Sequence, residues 1–372
     1  MAKGIAYVGL DVHKDTIAVA VAVTKKAGEK EVRFLGTIPH QLPSLRRLVR
    51  RLRQRYDAIE VAYEAGPCGY GIYRFFKECN IPCKVVAPSR IPRKPADRIK
   101  TDRRDAVTLA GLLHSGDLTA VYVPHPEDEA MRDLLRAREA AVVAQRRAMQ
   151  QLKSFLLRHG RNYGKGGRGW GPKFRRWLSE QRFEHSAQQL AFEEMIRAVE
   201  EGKARVERLT KAIRDHVEHW RLAPVVWALR SFRGIRLVVA ATLVAELGDI
   251  SRFDSPRQLM AFVGLVPSEH SSGGKVRRGP LTKDGNSHVR RAVGEAAWAY
   301  RLPARVGRTL VGRQRGVCEE VLQIAWKAQV RLHGRYVRMR ARGKPKGVVV
   351  MAIARELMGF LWAAFQEVRM PA

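Results

Sequence analysis

Four acidic residues and a pair of serines are the parts of this sequence whose types and spacing could do chemistry. Asp11 closes the apolar run Ile5-Ala6-Tyr7-Val8-Gly9-Leu10, and Glu64 closes a later run that begins at Ala58. Asp102 and Asp105 are three apart in Lys100-Thr101-Asp102-Arg103-Arg104-Asp105, so on a helix both carboxylates share one face. Four carboxylates can hold two divalent cations ~3.5–4 Å apart, and such a pair stabilises the attacking and leaving oxygens of a phosphodiester reaction. Each acid also has a plainer role. Asp11 could open a turn, Glu64 could cap a helix, and Asp102 and Asp105 could pair with Arg98, Arg103 or Arg104. Glu60 shares the strand face of Glu64 but lies further from the strand's end.

The serines stand in Gly264-Leu265-Val266-Pro267-Ser268-Glu269-His270-Ser271-Ser272-Gly273-Gly274-Lys275, followed by Arg277 and Arg278. Glycine lets the backbone approach a phosphate, and the cations could stabilise charge on a phosphoryl transition state. A serine hydroxyl attacking phosphorus would hold a DNA end as a phosphoserine ester and keep the broken bond's energy for rejoining. On residue types alone, a phosphate-contact turn is the simpler reading of this loop.

Lys and Arg total 69 of 372 residues against 36 Asp and Glu, a formal charge of +33. That excess points to a polyanion partner without separating DNA from RNA, because phosphate attraction and counterion release do not depend on sequence. Cys68, Cys79, Cys83 and Cys318 show no Cys-x2-Cys spacing, which argues against zinc and reads as incidental thiols in a reducing compartment. No uninterrupted apolar run approaches membrane-spanning length, so the chain reads as cytoplasmic, with no membrane partner.

The elements that must position these residues follow from periodicity. Strands are expected over Ile5 to Asp11, Thr16 to Val23, Glu31 to Ile38, Ala58 to Glu64 and Cys83 to Ala87. Leu45, Leu48, Val49 and Leu52 define an amphipathic helix with an arginine-rich outer face, and further helices are expected from Gly69 to Cys79 and around Asp102 and Asp105. Three meander strands followed by alternating strands and helices predict an α/β layer with a mixed sheet. From about Asp128 to His159 the pattern is wholly helical, with Leu135, Val142, Met149 and Leu156 seven apart. This rod would reach roughly 45–50 Å and form an arm or dimerising coiled coil with a helix from about Ser186 to Trp220. Between them, Tyr163 and Trp170 flank a glycine-rich basic segment that could stack on unpaired bases or serve as a solvated linker. A helical region follows Pro224, interrupted by a loop from Pro267 to Asn286, and a last helix runs from about Gly347 to Phe365.

Gly9-Leu10-Asp11-Val12-His13-Lys14, Tyr63-Glu64-Ala65-Gly66 and Lys100-Thr101-Asp102-Arg103-Arg104-Asp105-Ala106, in this order, resemble the DEDD transposases of bacterial insertion sequences, the IS110 family of bridge-RNA-guided recombinases. The resemblance implies an RNase-H-like (RuvC-like) domain over residues 1–125 with Asp11, Glu64, Asp102 and Asp105 as ligands of Mg2+ (or Mn2+), two ions in all. It further implies a mainly helical C-terminal transposase domain over 223–372, which leaves the helical coiled-coil arm read from periodicity at 126–222, an α/β plus α architecture. There Ser272 aligns with the family's nucleophile, with Ser271 as the alternative. Lys275, Arg277, Arg278, Lys283 and Arg290 are the expected nucleic-acid contacts. The partners implied are donor and target DNA, a non-coding guide RNA, and further copies of the chain in a dimer or tetramer whose site is composite. Two departures stand out: Gly66-Pro67-Cys68 where a Thr or Ser often follows the Glu, and Arg233-Gly234-Ile235-Arg236 where relatives often carry Pro-Gly-Ile-Gly. The rival readings are a hydrolytic nuclease or junction resolvase that uses the same acids with water, and a non-catalytic nucleic-acid scaffold.

Overall fold

The computed structural model describes residues 4–25, 29–92, 101–164 and 170–368. Arg98 and Lys100 and the centre of the glycine-rich segment, 165–169, lie outside them. The chain forms two compact units, Met1–Val123 and Pro124–Ala372.

The first unit is a mixed α/β layer built on five strands in the order β3-β2-β1-β4-β5. β1 (Ile5–Val12), β2 (Thr16–Thr24) and β3 (Lys30–Pro39) form an antiparallel meander, while β4 (Ala58–Glu64) runs parallel to β1 and β5 (Cys83–Val86) parallel to β4. Strand alternation gives the sheet two unlike faces. Val8, Leu10, Ile17, Val19, Val21 and Val61 share a core with α1 (Leu42–Arg53) and α2 (Gly71–Glu78), which contribute Leu45, Leu52, Phe75 and Phe76. The opposite face carries small residues, Ala18, Ala20, Ala22 and Ala62, and is covered by α3 (Asp102–Ser115) through Ala106, Leu109, Ala110 and Leu113. Small side chains there let α3 lie close to the strands. At Gly9 an added Cβ would stand 2.3 Å from both the Ala106 carbonyl oxygen and the Ala110 nitrogen, so glycine is what permits the crossing.

Among the described residues, the regular structure of the second unit is helical apart from one hairpin. α4 (Pro126–Arg158) is 33 residues long, roughly 50 Å, and α6 (Ser186–His219) lies antiparallel along it. Met131 and Leu135 near the start of α4 meet Ile213 and Val217 near the end of α6, while Leu152, Phe155 and Leu156 meet Phe192 and Val199. The buried Asp128 ties the foot of the pair, accepting hydrogen bonds from Trp220 Nε1 at 2.9 Å and from Arg221. At the far end α5 (Pro172–Ser179) adds Phe174 and Leu178. Tyr163 and Trp170 both pack edge-on against Phe174, with ring centroids 5.2 and 5.0 Å away. The two rings, open in the sequence to base stacking or to a place in a solvated linker, here help close a small core rich in aromatic residues.

The remaining helices are α7 (Ala223–Arg230), α8 (Leu237–Leu247), α9 (Pro256–Phe262), α10 (Ser287–Ala297), α11 (Arg308–Gln314), α12 (Glu319–Ala341) and α13 (Lys346–Gln366). By length and composition α13 is apolar enough to cross a membrane. In this fold Val349, Ile353, Leu357 and Leu361 are instead in the main core, where α13 contacts α7, α9, α10 and α12. The segment expected as a loop from Pro267 to Asn286 contains a short antiparallel hairpin, β6 (Pro267–Glu269) and β7 (Arg278–Leu281).

Candidate active site

Asp11 and Glu64 reach the same sheet edge because β1 and β4 are parallel and adjacent. The register pairs Leu10 with Tyr63, so Asp11 and Glu64 stand one step further on, at the carboxyl ends of both strands. Alternation from Gly9 and Ala62 turns both acids toward the face covered by α3. Glu60 shares that face two pleats back, opposite Tyr7. α3 begins at the same edge: Thr101 is its N-cap, its hydroxyl accepting from the Arg104 amide at 3.3 Å, and Asp102 and Asp105 occupy the first turn. Carboxylates in a first helical turn are favoured by the amide dipoles. Asp102 is exposed and Asp105 half-buried.

His13 joins this group. Its Nε2 lies 3.3 Å from Asp11 Oδ2 and 3.5 Å from Asp102 Oδ1. One ligand atom from each of Asp11, His13 and Asp102 falls within 4.8 Å of the others. Asp105 is near enough for its charge to act on Asp11, and Glu64 is level with Asp11 on the adjacent strand, but neither is part of the group at that spacing. Burial raises the Asp11 carboxyl above its ordinary range; the His13 charge and hydrogen bond pull it down, while the charges of Asp105 and Asp102 push it up. The acids therefore repel one another, and a bound cation would relieve the repulsion. Donor chemistry and spacing both fit: carboxylate oxygens and an imidazole nitrogen about a cation with ~2.0–2.2 Å bonds stand roughly 3.0–3.5 Å apart. His13 lay inside a motif recognised in the sequence yet received no role there. Its position two residues beyond Asp11, in the turn that follows β1, was the available signal. Cys83, at the start of β5, offers no nucleophile, because burial pushes its thiol up to about 12.

The serine loop is organised by its glycines. Gly273 and Gly274 have φ of 55° and 79°, and Ser272 and Lys275 exchange backbone hydrogen bonds of 3.3 and 3.1 Å across them. These are the marks of a two-residue primed turn. The two serines differ. Ser271 donates to Glu269 Oε1 at 2.8 Å and accepts from the Arg277 amide at 3.2 Å, whereas Ser272 sits at the turn with its side chain exposed. Lys275, Arg277 and Arg278 are exposed on the returning arm, and Arg278 lies 3.8 Å from Glu269. At the base of the hairpin Lys283 adopts a left-handed φ of 57°, its amide donating to Gly264 O at 3.2 Å. Arg290 is turned onto this base, its Nη1 donating to the carbonyl oxygens of Val263, Asp284 and Gly285 at 2.9, 2.7 and 3.1 Å. Gly234, in the Arg233–Arg236 segment, has φ of 82° and abuts the Ala296 carbonyl, where a Cβ would come within 2.3 Å.

The acids belong to the first unit and the hairpin to the second. Residues 8–160 match a family model of DEDD transposases of the IS110 type, and residues 227–308 match that of the transposase IS116/IS110/IS902 family. The chain is 48% identical over 364 residues to the Sinorhizobium fredii protein y4qE, named as a candidate transposase, across 98% of this chain and 89% of that one. It is 30% identical over 340 residues to the transposase for insertion sequence element IS1533 of Leptospira borgpetersenii, across 91% and 97% of the two chains. Against the transposase for insertion sequence element IS1111A of Coxiella burnetii the identity is 25% over 234 residues, 59% of each.

Proposed function

This chain belongs to the IS110 family of insertion-sequence DEDD transposases, and from that premise we propose that it cuts and rejoins DNA through an acidic metal site and a covalent serine. The observation that carries the reading is the meeting of Asp11, on β1, with Asp102, on α3, beside Glu64 and Asp105 at one sheet edge. The strand order, three antiparallel strands followed by two parallel ones with acids at the ends of β1 and β4, is the basis for reading the first unit as RNase-H-like, of the RuvC type.

Asp11, Glu64, Asp102 and Asp105 hold Mg2+ or Mn2+, two ions in the full site. When bound, these ions stabilise charge on the attacking and leaving oxygens. With cations held by these acids, the site would position the scissile phosphate at the sheet edge. Ser272 then forms an Oγ–P ester as the bond to the departing deoxyribose oxygen breaks; the serine proton passes to solvent and the departing oxygen takes one up. Attack by a second deoxyribose hydroxyl reverses the step and frees the serine. Ser272 is preferred over Ser271 because it stands exposed at the turn, while the Ser271 hydroxyl is engaged with Glu269 and Arg277. Lys275, Arg277, Arg278 and Lys283 grip phosphates, and Arg290 takes part by holding the base of the hairpin.

The charge of +33 suits both donor and target DNA and a non-coding guide RNA that selects them by base pairing. The arm formed by α4 and α6 is the proposed coiled coil joining copies into a dimer or tetramer with a composite site; Val143, Leu157 and Leu190 are exposed apolar residues on it.

The test is a cleavage assay with denaturing gels on DNA carrying the element's ends, with the copurified RNA sequenced. The wild type should yield a protein–DNA adduct, Ser272→Ala none while still binding RNA, and Asp11→Asn or Asp102→Asn no cleavage with any divalent ion. Free ends without an adduct would replace this reading with the hydrolytic nuclease or junction resolvase. Cleavage that survives loss of the acids would remove the metal site.

A further inference from the structure

We propose that His13 is a nitrogen donor to the cation held by Asp11 and Asp102, and that it tilts the site toward Mn2+ over Mg2+. The inference rests on the acidic-site reading above and adds to it a residue outside the four acids. The geometry at Nε2 is its basis. A ring nitrogen carries one proton and directs it at one acceptor, near 2.9 Å. Here Nε2 is almost equally far from two carboxylate oxygens of different residues, 3.3 and 3.5 Å, and optimal for neither. Two of the three donor separations are those of neighbours in one coordination sphere, roughly 3.0–3.5 Å, and the two carboxylates lie within 4.8 Å of one another.

The backbone keeps the ring there. The His13 amide donates to Thr16 O at 2.9 Å, which closes the β1–β2 turn, and its carbonyl accepts from His40 Nδ1 at 2.8 Å. The ring is half-exposed, so turning onto a cation displaces no packed neighbour. A fixed imidazole changes the selectivity of an otherwise all-oxygen site. Mg2+ is hard, holds its waters and gains little from nitrogen, whereas imidazole is a good ligand for the softer first-row divalent ions.

The experiment uses the full chain, titrated calorimetrically with Mn2+ alone and Mg2+ alone, and read by pulsed electron paramagnetic resonance with Mn2+ bound. In the wild type Mn2+ should bind about tenfold more tightly than Mg2+ and show coupling to a directly bonded 14N. His13→Ala should lose the 14N coupling and weaken Mn2+ about tenfold while Mg2+ moves by less than about twofold. His13→Asn, which keeps a polar group in the turn, should also lose the imidazole coupling and serves if the alanine variant does not fold. Wild-type protein without 14N coupling, or either variant with an unchanged preference for Mn2+, overturns the role of His13 and leaves the acids as they are. Undiminished Mn2+ binding in Asp11→Asn and Asp102→Asn would instead remove the acidic site itself, so the two failures are distinguishable.

Discussion

Arg136 and Glu246 face one another as a fork to a fork: Nε donates to Oε1 at 2.7 Å and Nη2 to Oε2 at 2.9 Å, with the Glu246 side chain only 1% exposed. The pair joins α4 to the end of α8. Arg132 adds a second cation at 3.6 Å, and Asn286 Nδ2 donates to Oε2 at 2.6 Å. Asn286 is also the N-cap of α10, its Oδ1 accepting from the amides of His288 and Val289. One buried carboxylate thus connects the arm, the core and the helix that follows the serine hairpin. Glu139 repeats the connection one turn along α4, accepting from His288 Nδ1 at 2.6 Å and from Arg291.

Replacing Glu246 by Ala leaves Arg136 and Asn286 without their shared acceptor and removes the countercharge near Arg132. Because Arg136 keeps partial access to water, the loss is set below that of a fully buried pair, about 2–3 kcal/mol. Urea denaturation of Glu246→Ala, with Arg136→Ala and the double variant to complete the cycle, should show coupling between the two residues; strict additivity would mean that the pair contributes nothing.

Acid should weaken this connection. Burial alone would raise the Glu246 carboxyl, but hydrogen bonds from Arg136 and Asn286 and the charges of Arg136 and Arg132 outweigh it and hold the group below the ordinary glutamate range. A depressed folded-state value gives stability that is fully present above the unfolded value of ~4.3 and is lost as pH falls through the folded one. The stability difference between wild type and Glu246→Gln should therefore be constant from pH 7 to 5 and shrink as pH drops below about 4. A difference that grows on acidification would contradict this linkage.

Gly9→Ala should be among the most damaging single-methyl additions in the first unit. Its Cβ would meet backbone atoms of Ala106 and Ala110 at 2.3 Å, and backbone in a helix does not yield as a side-chain tip does. Moving α3 away from β1 costs on the order of 3 kcal/mol and separates Asp102 from Asp11. The variant should lose thermal stability and divalent-ion affinity together; affinity preserved at wild-type level would show that α3 does not set the spacing.

At the hairpin tip, replacing Gly273 and Gly274 by Ala forces two side chains into positive φ, at about 1 kcal/mol each, whereas Gly273→Asn, which sets an asparagine before Gly274, suits the same turn. Amide exchange of Ser272 and Lys275 should accelerate in the double alanine variant and stay near wild type in Gly273→Asn. Equal exchange in both would show that the turn does not depend on the glycines.

The first unit was legible because its signals are local. Apolar runs ending in Asp11 and Glu64 mark strands whose ends carry acids, and the leucine spacing in α1 gave that helix its inner face directly. The serine loop was legible only as a glycine-bearing turn. That it is a β-hairpin depends on Pro267 pairing with Leu281 across the intervening segment, and short strands without a buried face leave no alternation to read. Arg290 resembles any exposed basic residue in sequence, yet it holds three carbonyl oxygens.

What the sequence determined by itself was the inventory: an excess of cations, two strand-end acids, two acids on one helical face, and two serines before a glycine pair. Each follows from composition or from spacing along one element. The tertiary structure decided which members of that inventory meet. His13 approaches Asp102, far from it along the chain, because β1 runs into its turn beside the start of α3, and α3 can lie there only because Gly9 and the alanine face of β2 leave it room. Likewise Glu246 finds Arg136 and Asn286 from two other helices. Such meetings depend on the distance between packed elements, which side-chain volumes on both sides fix jointly and no single segment encodes.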